Sequence, residues 1–334
     1  MSDYFKIATI HASVKYPIIS AYEFAILRKE KNVRDYIEPC TIYIIGQRPL
    51  LLIENFRESG GVIEFNITDK TGKPPLECKL DIKESNLKRL GKKTRINPLF
   101  YKENKDKDYP FNDMAGFKIF SGSKFLVWFS PQKFIYEHMN NSIKSELKGN
   151  IEDYIDYNVH YIGKSFSQKI WKRLTGHHKL QDILTFEDPL NDEKLKAPFE
   201  ISIMLLHINS VESTYTIDPA NFFRKDKNTI FHNIDNLSDE ELLEFFSMQG
   251  HKDPKIPERL NKNHTTEVEA MLINHLKPKY NEILFDNYPI IENGMRTLGF
   301  SDTQLVIDKA CAILKTDTAN LGKFTSNNKI PLNT

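Results

Sequence analysis

The chain has 334 residues, of which 40% are hydrophobic and 27% charged, and its formal net charge is +1. That composition is ordinary for a globular protein of one large or two smaller domains, and no apolar run approaches the roughly eighteen residues of a membrane-crossing helix. Cys40, Cys78 and Cys311 stand far apart with no CxxC pair, which argues against a zinc ribbon or a disulfide scaffold. The N-terminus lacks the basic-then-apolar pattern of a secretory signal, so the expected location is the reducing cytoplasm and no membrane partner is expected. A net charge near zero does not exclude a nucleic-acid partner, because binding follows local charge.

The first expected helix is Ala21 to Arg28. Thr41 to Ile53 (TIYIIGQRPLLLI) reads as a β-hairpin turning at Gly46-Gln47-Arg48-Pro49. Val62 to Asp69 alternates apolar and polar residues, turns at Lys70-Thr71-Gly72-Lys73 and returns as Leu76 to Ile82, a second hairpin. A basic cluster follows, Lys88, Arg89, Lys92, Lys93 and Arg95. Read plainly it is a solvated face. Read for function it is a phosphate-backbone contact. Tyr101 to Asp113 is polar and loop-like. Gly116 to Pro131 is a further hairpin, with Trp128 expected in the core.

Residues 141–158 are polar and read as a linker. Val159 to Ile162 then reads as the end of a strand, Gly163 as a turn, and the chain from about Ser167 as a helix. Ile170, Trp171 and Leu174 lie on one side of that helix and Lys169, Lys172 and Arg173 on the other. A strand, a glycine turn and a cationic helix make a place to hold a phosphate. Ile201 to Ile208 is an unbroken apolar run, a buried strand. Asn209 to Lys227 reads as loop. Ser238 opens a helix with a capping box and Gly250 stops it. A helix starts at Thr265-Thr266-Glu267 and ends at Pro278. Thr303 to Leu314 reads as an amphipathic helix ahead of a polar tail.

Cutting a phosphodiester needs an activated water, a cation on the phosphate oxygens and an acid for the leaving oxygen. Residues 159–281 offer candidates. Arg173 is a fork of donors suited to phosphate, and His177 lies one turn further on the same helix face. Glu269 is a helix carboxylate able to give Mg²⁺ one oxygen ligand. Tyr161 and Lys164 flank the turn. Each has a plainer reading: a surface ion pair for Arg173, a helix-end contact for His177, a solvated carboxylate for Glu269 and a sheet aromatic for Tyr161.

Tyr161-Ile162-Gly163, the Arg173-x-x-x-His177 pair, the helix carrying Glu269, Leu272 and Ile273, and the Pro278-x-x-Asn281 exit resemble the GIY-YIG endonuclease superfamily. The resemblance covers roughly residues 155–288, less than half of the chain. It implies a small mixed α/β domain with one divalent ion, Mg²⁺ or Mn²⁺. In it Arg173 would stabilise the pentavalent phosphorus and Glu269 would hold the metal. Tyr161, Lys164 and His177 would orient water or move protons, and Asn281 would support the site. The superfamily places a Gly-Ile-Tyr strand about ten residues before YIG, and its tyrosine serves in activating water. Ten residues before Tyr161 stands Ile151 with no such triplet, and Tyr154 or Tyr157 would have to substitute. Tyr43-Ile44-Ile45-Gly46 echoes the motif, but Pro49 blocks a following helix, and it reads as part of the scaffold hairpin.

The expected fold class is therefore α+β. A β-rich domain over residues 1–140, without a catalytic constellation, would recognise a target or partner. A GIY-YIG-like nuclease domain would cover 141–288, and a C-terminal helix and tail 289–334. The expected function is metal-dependent endonucleolytic hydrolysis, of DNA in preference to RNA, with Lys88, Arg89, Lys92, Lys93, Arg95 and Lys172 on nucleic acid. The alternative is a weakly catalytic module that binds nucleic acid or protein without cutting. Oligomeric state is left open, a homo-oligomer included.

Overall fold

The computed structural model describes residues 5–85, 94–101, 109–165, 169–175, 178–187, 198–216, 229–233, 258–285, 291, 294–298, 300 and 302–322. In chain order these form β1 (Phe5–Val14), β2 (Ile19–Ser20), α1 (Ala21–Leu27), α2 (Lys31–Ile37), β3 (Ile42–Pro49), β4 (Leu52–Ser59), β5 (Val62–Thr68), β6 (Leu76–Asp81), β7 (Thr94–Phe100), β8 (Met114–Ser121), β9 (Lys124–Phe129), α3 (Pro131–Met139) and β10 (Ser145–Lys148). There follow a 3₁₀ turn (Ile151–Tyr154), β11 (Asp156–Lys164), α4 (Ile170–Thr175), α5 (His178–Phe186), β12 (Phe199–Thr216), β13 (Thr229–Asn233), α6 (Glu258–Leu276), β14 (Asp302–Asp308), β15 (Ile313–Lys315) and β16 (Asn320–Leu321). The fold is a strand-rich α+β arrangement with two sheets.

The larger sheet has the order β13-β14-β1-β12-β3-β11-β15-β16, with β2 on β12. Its pairs are antiparallel except β1 with β14 and β11 with β15. At its centre the apolar run of β12 is buried on both faces. Met204, Leu206 and Ile208 face one hydrophobic cluster, and Ile201, Ile203 and Leu205 face another. The alternation continues in β3, where Ile42 and Ile44 take the first side and Tyr43 and Ile45 the second. Helix α6 covers the first face through Val268, Met271, Leu272 and Leu276. Helices α1, α4 and α5 cover the second, where Phe24 stacks on Trp171 at 4.9 Å. Trp171 is thus a core residue, as the sequence suggested.

The smaller sheet runs β10-β6-β5-β4-β8-β7, with β9 on β8, all antiparallel. The hairpins expected over 62–82 and 116–131 are β5–β6 and β8–β9. The first alternates cleanly because its outer face meets water, whereas the second is interrupted by a register shift at Ile119/Phe120. Every strand of this sheet lies in sequence between β3 and β11, which are neighbours in the larger sheet. Strand pairing therefore groups the chain otherwise than by the expected spans, since β1 and β3 belong with β11 and β12.

Four expectations are corrected. Thr41 to Ile53 is no hairpin: β3 and β4 lie in different sheets. The 141–158 linker contains β10, the 3₁₀ turn and the start of β11. Strand β12 runs on to Thr216 where a loop was read, held against β1 from Leu206 to Thr216. Thr303 to Leu314 is β14 and β15, not a helix. It lies between covered faces, so its apolar residues need no period of two, and Lys309 and Cys311 take φ of 56° and 48°, which no helix accepts. The helix expected from Thr265 begins by Glu258. The helix expected at 238–250 lies outside the described residues.

A buried polar cluster joins the two sheets. Arg48 at the end of β3 donates from Nε and Nη2 to Glu200 Oε1 of β12, at 2.8 and 2.7 Å, and from Nη1 to the Tyr154 carbonyl at 3.1 Å. Gln132 of α3, whose neighbours Phe134 and Ile135 pack in the smaller sheet's core, donates to the same Glu200 oxygen at 2.7 Å. Burial pushes the Glu200 carboxyl up, and Arg48 opposes the shift. Removing either charge leaves the other unpaired in the interior. Glu200→Ala and Arg48→Ala are each expected to cost roughly 3–5 kcal/mol, while a joint change to Leu and Met costs much less. Urea denaturation of the three variants checks this.

Glu267 of α6 is also buried, with Oε1 accepting the Met295 backbone N–H at 2.6 Å. Burial raises its pKa from 4.5 to about 7. Because the folded value lies above the unfolded one, the stability it contributes is full below pH 4.5 and is lost as pH rises through about 7. The melting temperature should therefore fall over that window, and Glu267→Gln should flatten the fall.

Candidate active site

Strand β11 presents Tyr161-Ile162-Gly163-Lys164 antiparallel to β3, with Tyr161 opposite Ile45, Gly163 opposite Tyr43 and Lys164 opposite Ile42. A bulge between Val159 and Tyr161 re-aims this half of the strand. Tyr43 and Tyr161 both turn toward α4, with ring centroids 6.1 Å apart. Gly163 is required here by close approach. A Cβ on it would stand 2.5 Å from Cζ and Oη of Tyr43 and 2.7 Å from Cε1 of Tyr161.

The two tyrosine hydroxyls and Arg173 lie close enough to shift one another's ionisation. Burial raises both phenols above their ordinary value. Their mutual contact acts in opposite directions on the two phenols, lowering Tyr161 and raising Tyr43. Tyr43 is wholly buried, whereas Arg173 is exposed at the lip of α4. That placement follows from the helix spacing: Ile170, Trp171 and Leu174 turn inward and leave Lys172 and Arg173 outside.

Glu269 approaches from α6, on the opposite face of the sheet, and meets Lys164 at the C-terminal end of β11. Its Oε2 lies 2.5 Å from Lys164 Nζ. Burial raises its carboxyl, while Lys164 and then Arg173 pull it back. The charge of Glu269 in turn reaches Tyr161. One helical turn before it, Thr265 Oγ1 is 2.8 Å from Thr41 Oγ1 of the segment entering β3, and the Thr41 carbonyl accepts the Ser165 N–H at 2.8 Å. These contacts fasten α6 to both strands that carry the tyrosines.

Asn281 has a backbone-clamping position. Its Oδ1 accepts the Ile162 N–H at 2.9 Å and its Nδ2 donates to the Ile162 carbonyl at 2.8 Å. It acts as a one-residue strand on the edge of β11 that β15 leaves open, since β15 pairs only with Asp156 to Asn158.

Of the predicted site residues, Tyr161, Lys164, Arg173 and Glu269 come together, and Asn281 supports them from behind. Lys172 is exposed beside Arg173. Arg95 is exposed on β7 of the smaller sheet. His177, Lys88, Arg89, Lys92 and Lys93 lie outside the described residues. Tyr43 was missed. It was read as scaffold, and the span 1–140 was read as free of catalytic groups. The signal was the run Ile42-Tyr43-Ile44 itself, and only strand pairing brings it to Gly163. Tyr154 and Tyr157, the sequence substitutes, are elsewhere: Tyr154 donates to the Pro74 carbonyl at 2.8 Å, and Tyr157 packs under Arg48.

Among the described residues no group of three or more His, Cys, Asp or Glu is placed to hold a metal. Among the described residues Glu269 is the carboxylate of this cluster, a donor type that suits Mg²⁺ or Mn²⁺ keeping most of its waters. Comparison with protein-family models, curated proteins and solved structures gives no match.

Two substitutions test this geometry. Gly163→Ala must push the Tyr43 ring aside and is expected to cost about 1–3 kcal/mol. Asn281→Ala leaves the Ile162 N–H and carbonyl without their partner, with an expected loss of about 1–3 kcal/mol. Equilibrium unfolding in urea measures both.

Proposed function

We propose that the chain is a divalent-metal-dependent endonuclease with a GIY-YIG-type site, hydrolysing phosphodiester bonds in DNA. The observation that carries this reading is the pairing of Tyr43 in β3 with Gly163 in β11. The resemblance calls for a Gly-Ile-Tyr strand about ten residues before Tyr161; none stands there, and β3, far earlier in the chain and without that triplet, brings a tyrosine to Gly163 instead. Arg173, Tyr161, Lys164 and Glu269 gather around that pair.

In this reading Arg173 binds a non-bridging oxygen of the scissile phosphate and meets the charge that grows on it. Tyr161 takes the proton of the attacking water, directly or through a second water, with Tyr43 holding its hydroxyl in place. Lys164 pulls the buried Glu269 carboxyl back toward its ionised form. Glu269 would hold the metal, which supplies Lewis-acid stabilisation of the phosphate and an acidified water. Gly163 and Asn281 fix the strand so that these groups keep their spacing.

One observation favours the second reading, a module that binds without cutting: Lys164 already occupies Glu269 Oε2. The assay that separates them is plasmid cleavage by purified protein with Mg²⁺ or Mn²⁺. Wild type should nick or linearise the plasmid. Arg173→Ala should lower the rate by about 10²–10³-fold, as loss of a transition-state donor does, and Glu269→Gln should abolish metal dependence. Cleavage should rise with pH toward the tyrosine range, because the base form of a phenol held above its ordinary value is needed. Equal cutting by all three proteins would mean a contaminant, and no cutting would favour the binding module.

A further inference from the structure

The smaller sheet has two unlike halves. Over β4, β5, β6 and β10 the outward charges alternate across the strands. Arg57 stands opposite Glu64, Glu64 opposite Lys79, Lys79 opposite Glu146, and Glu77 opposite Lys148. Such a ladder neutralises itself and offers little net field to a polyanion. The half formed by β7, β8 and β9 is different. No Asp or Glu occurs from Leu87 to Phe100 or from Met114 to Tyr136, while Arg95, Lys118 and Lys124 lie on these strands.

The outer face of this half also carries aromatic rings. Phe117 and Ile119 are buried, so Lys118 and Phe120 point outward between and beyond them. The Arg95 guanidinium lies 4.8 Å over the Phe120 ring. Phe125 meets Phe120 edge-on, with centroids 5.7 Å apart at 69°, and is 48% exposed. Three residues along β9, about 10 Å at the usual strand rise, Trp128 packs against the cluster that holds Tyr43 and Tyr161. The cationic, aromatic strip therefore ends against the hydrophobic cluster that lies between the larger sheet and its helices.

We propose that this face is a platform for single-stranded DNA, on which unstacked bases lie on Phe125 and on the Arg95–Phe120 pair while Lys118 and Lys124 meet the phosphates. The proposal rests on the nuclease reading for its substrate class and goes beyond it in naming the surface and the strandedness. A duplex keeps its base faces stacked on one another, and basic side chains alone would serve its backbone. Exposed rings on a flat sheet find a use only with bases that are out of the stack.

The test is fluorescence anisotropy of a short labelled oligothymidylate, and of a duplex of equal length, in EDTA so that nothing is cut. Wild type should bind the single strand more tightly than the duplex. Phe125→Ala, at an exposed position and with circular dichroism confirming its fold, should weaken single-strand binding by about tenfold. Lys118→Glu should weaken it and lessen its salt dependence. Lys79→Ala on the self-neutralised half should bind as wild type does. Wild-type affinity in both Phe125→Ala and Lys118→Glu, or a preference for duplex, overturns the platform. The measurement reads binding alone, so the two readings separate. Plasmid cleavage with unchanged anisotropy in the variants would sink the platform and keep the nuclease. Phe125-dependent binding without cleavage would do the reverse.

Discussion

The tip of the Tyr43 ring fills the space a side chain at Gly163 would need, and the candidate site depends on that close approach. It goes with the register of β11 on β3, puts Tyr43 and Tyr161 side by side, and leaves Lys164 at the strand's end, where Glu269 reaches it. No side chain larger than hydrogen fits at 163. Around this contact the sheet behaves as a frame with functional groups on both sides. Arg173 comes from the helix layer over the tyrosine face and Glu269 from the layer beneath, and they converge only because β11 ends there.

The long separation of β3 and β11 in sequence has a physical cost and a physical remedy. Closing a long loop costs only slowly more as it lengthens, so a whole sheet can be accommodated between two paired strands, provided its exit and entry are held. The Arg48–Glu200–Gln132 cluster sits at that junction and ties the end of β3 to the neighbouring β12 and to α3. The smaller sheet is thus rooted at the Arg48 end of the β3–β11 pair, the end away from Tyr43 and Gly163.

Much of this was legible in the residues. Helical spacing placed Ile170, Trp171 and Leu174 inside and Arg173 outside, strict alternation marked the start of β5–β6, and a Ser-Gly-Ser turn before an apolar run marked β8–β9. Glu269 and Asn281 were found by spacing and resemblance, although spacing said nothing of the clamp that Asn281 makes on Ile162. What stayed hidden was non-local. Tyr43 looks like one more strand aromatic until its partner, far along the chain, is known. Strand β14 hid for a related reason. With neighbours on both sides and both faces covered, Thr303 and Gln304 are as buried as Leu305 and Ile307, and the sequence lacks the period of two that betrays a half-exposed strand.

The most direct test of the account is a double-mutant cycle on single-turnover DNA cleavage with Tyr43→Phe, Tyr161→Phe and both together. If the two tyrosines form one unit across β3 and β11, each single change slows cleavage and the double loses little more than the worse single. A Tyr43→Phe enzyme that cleaves at the wild-type rate would contradict the account, because β3 would then be scaffold and the site would lack its second strand.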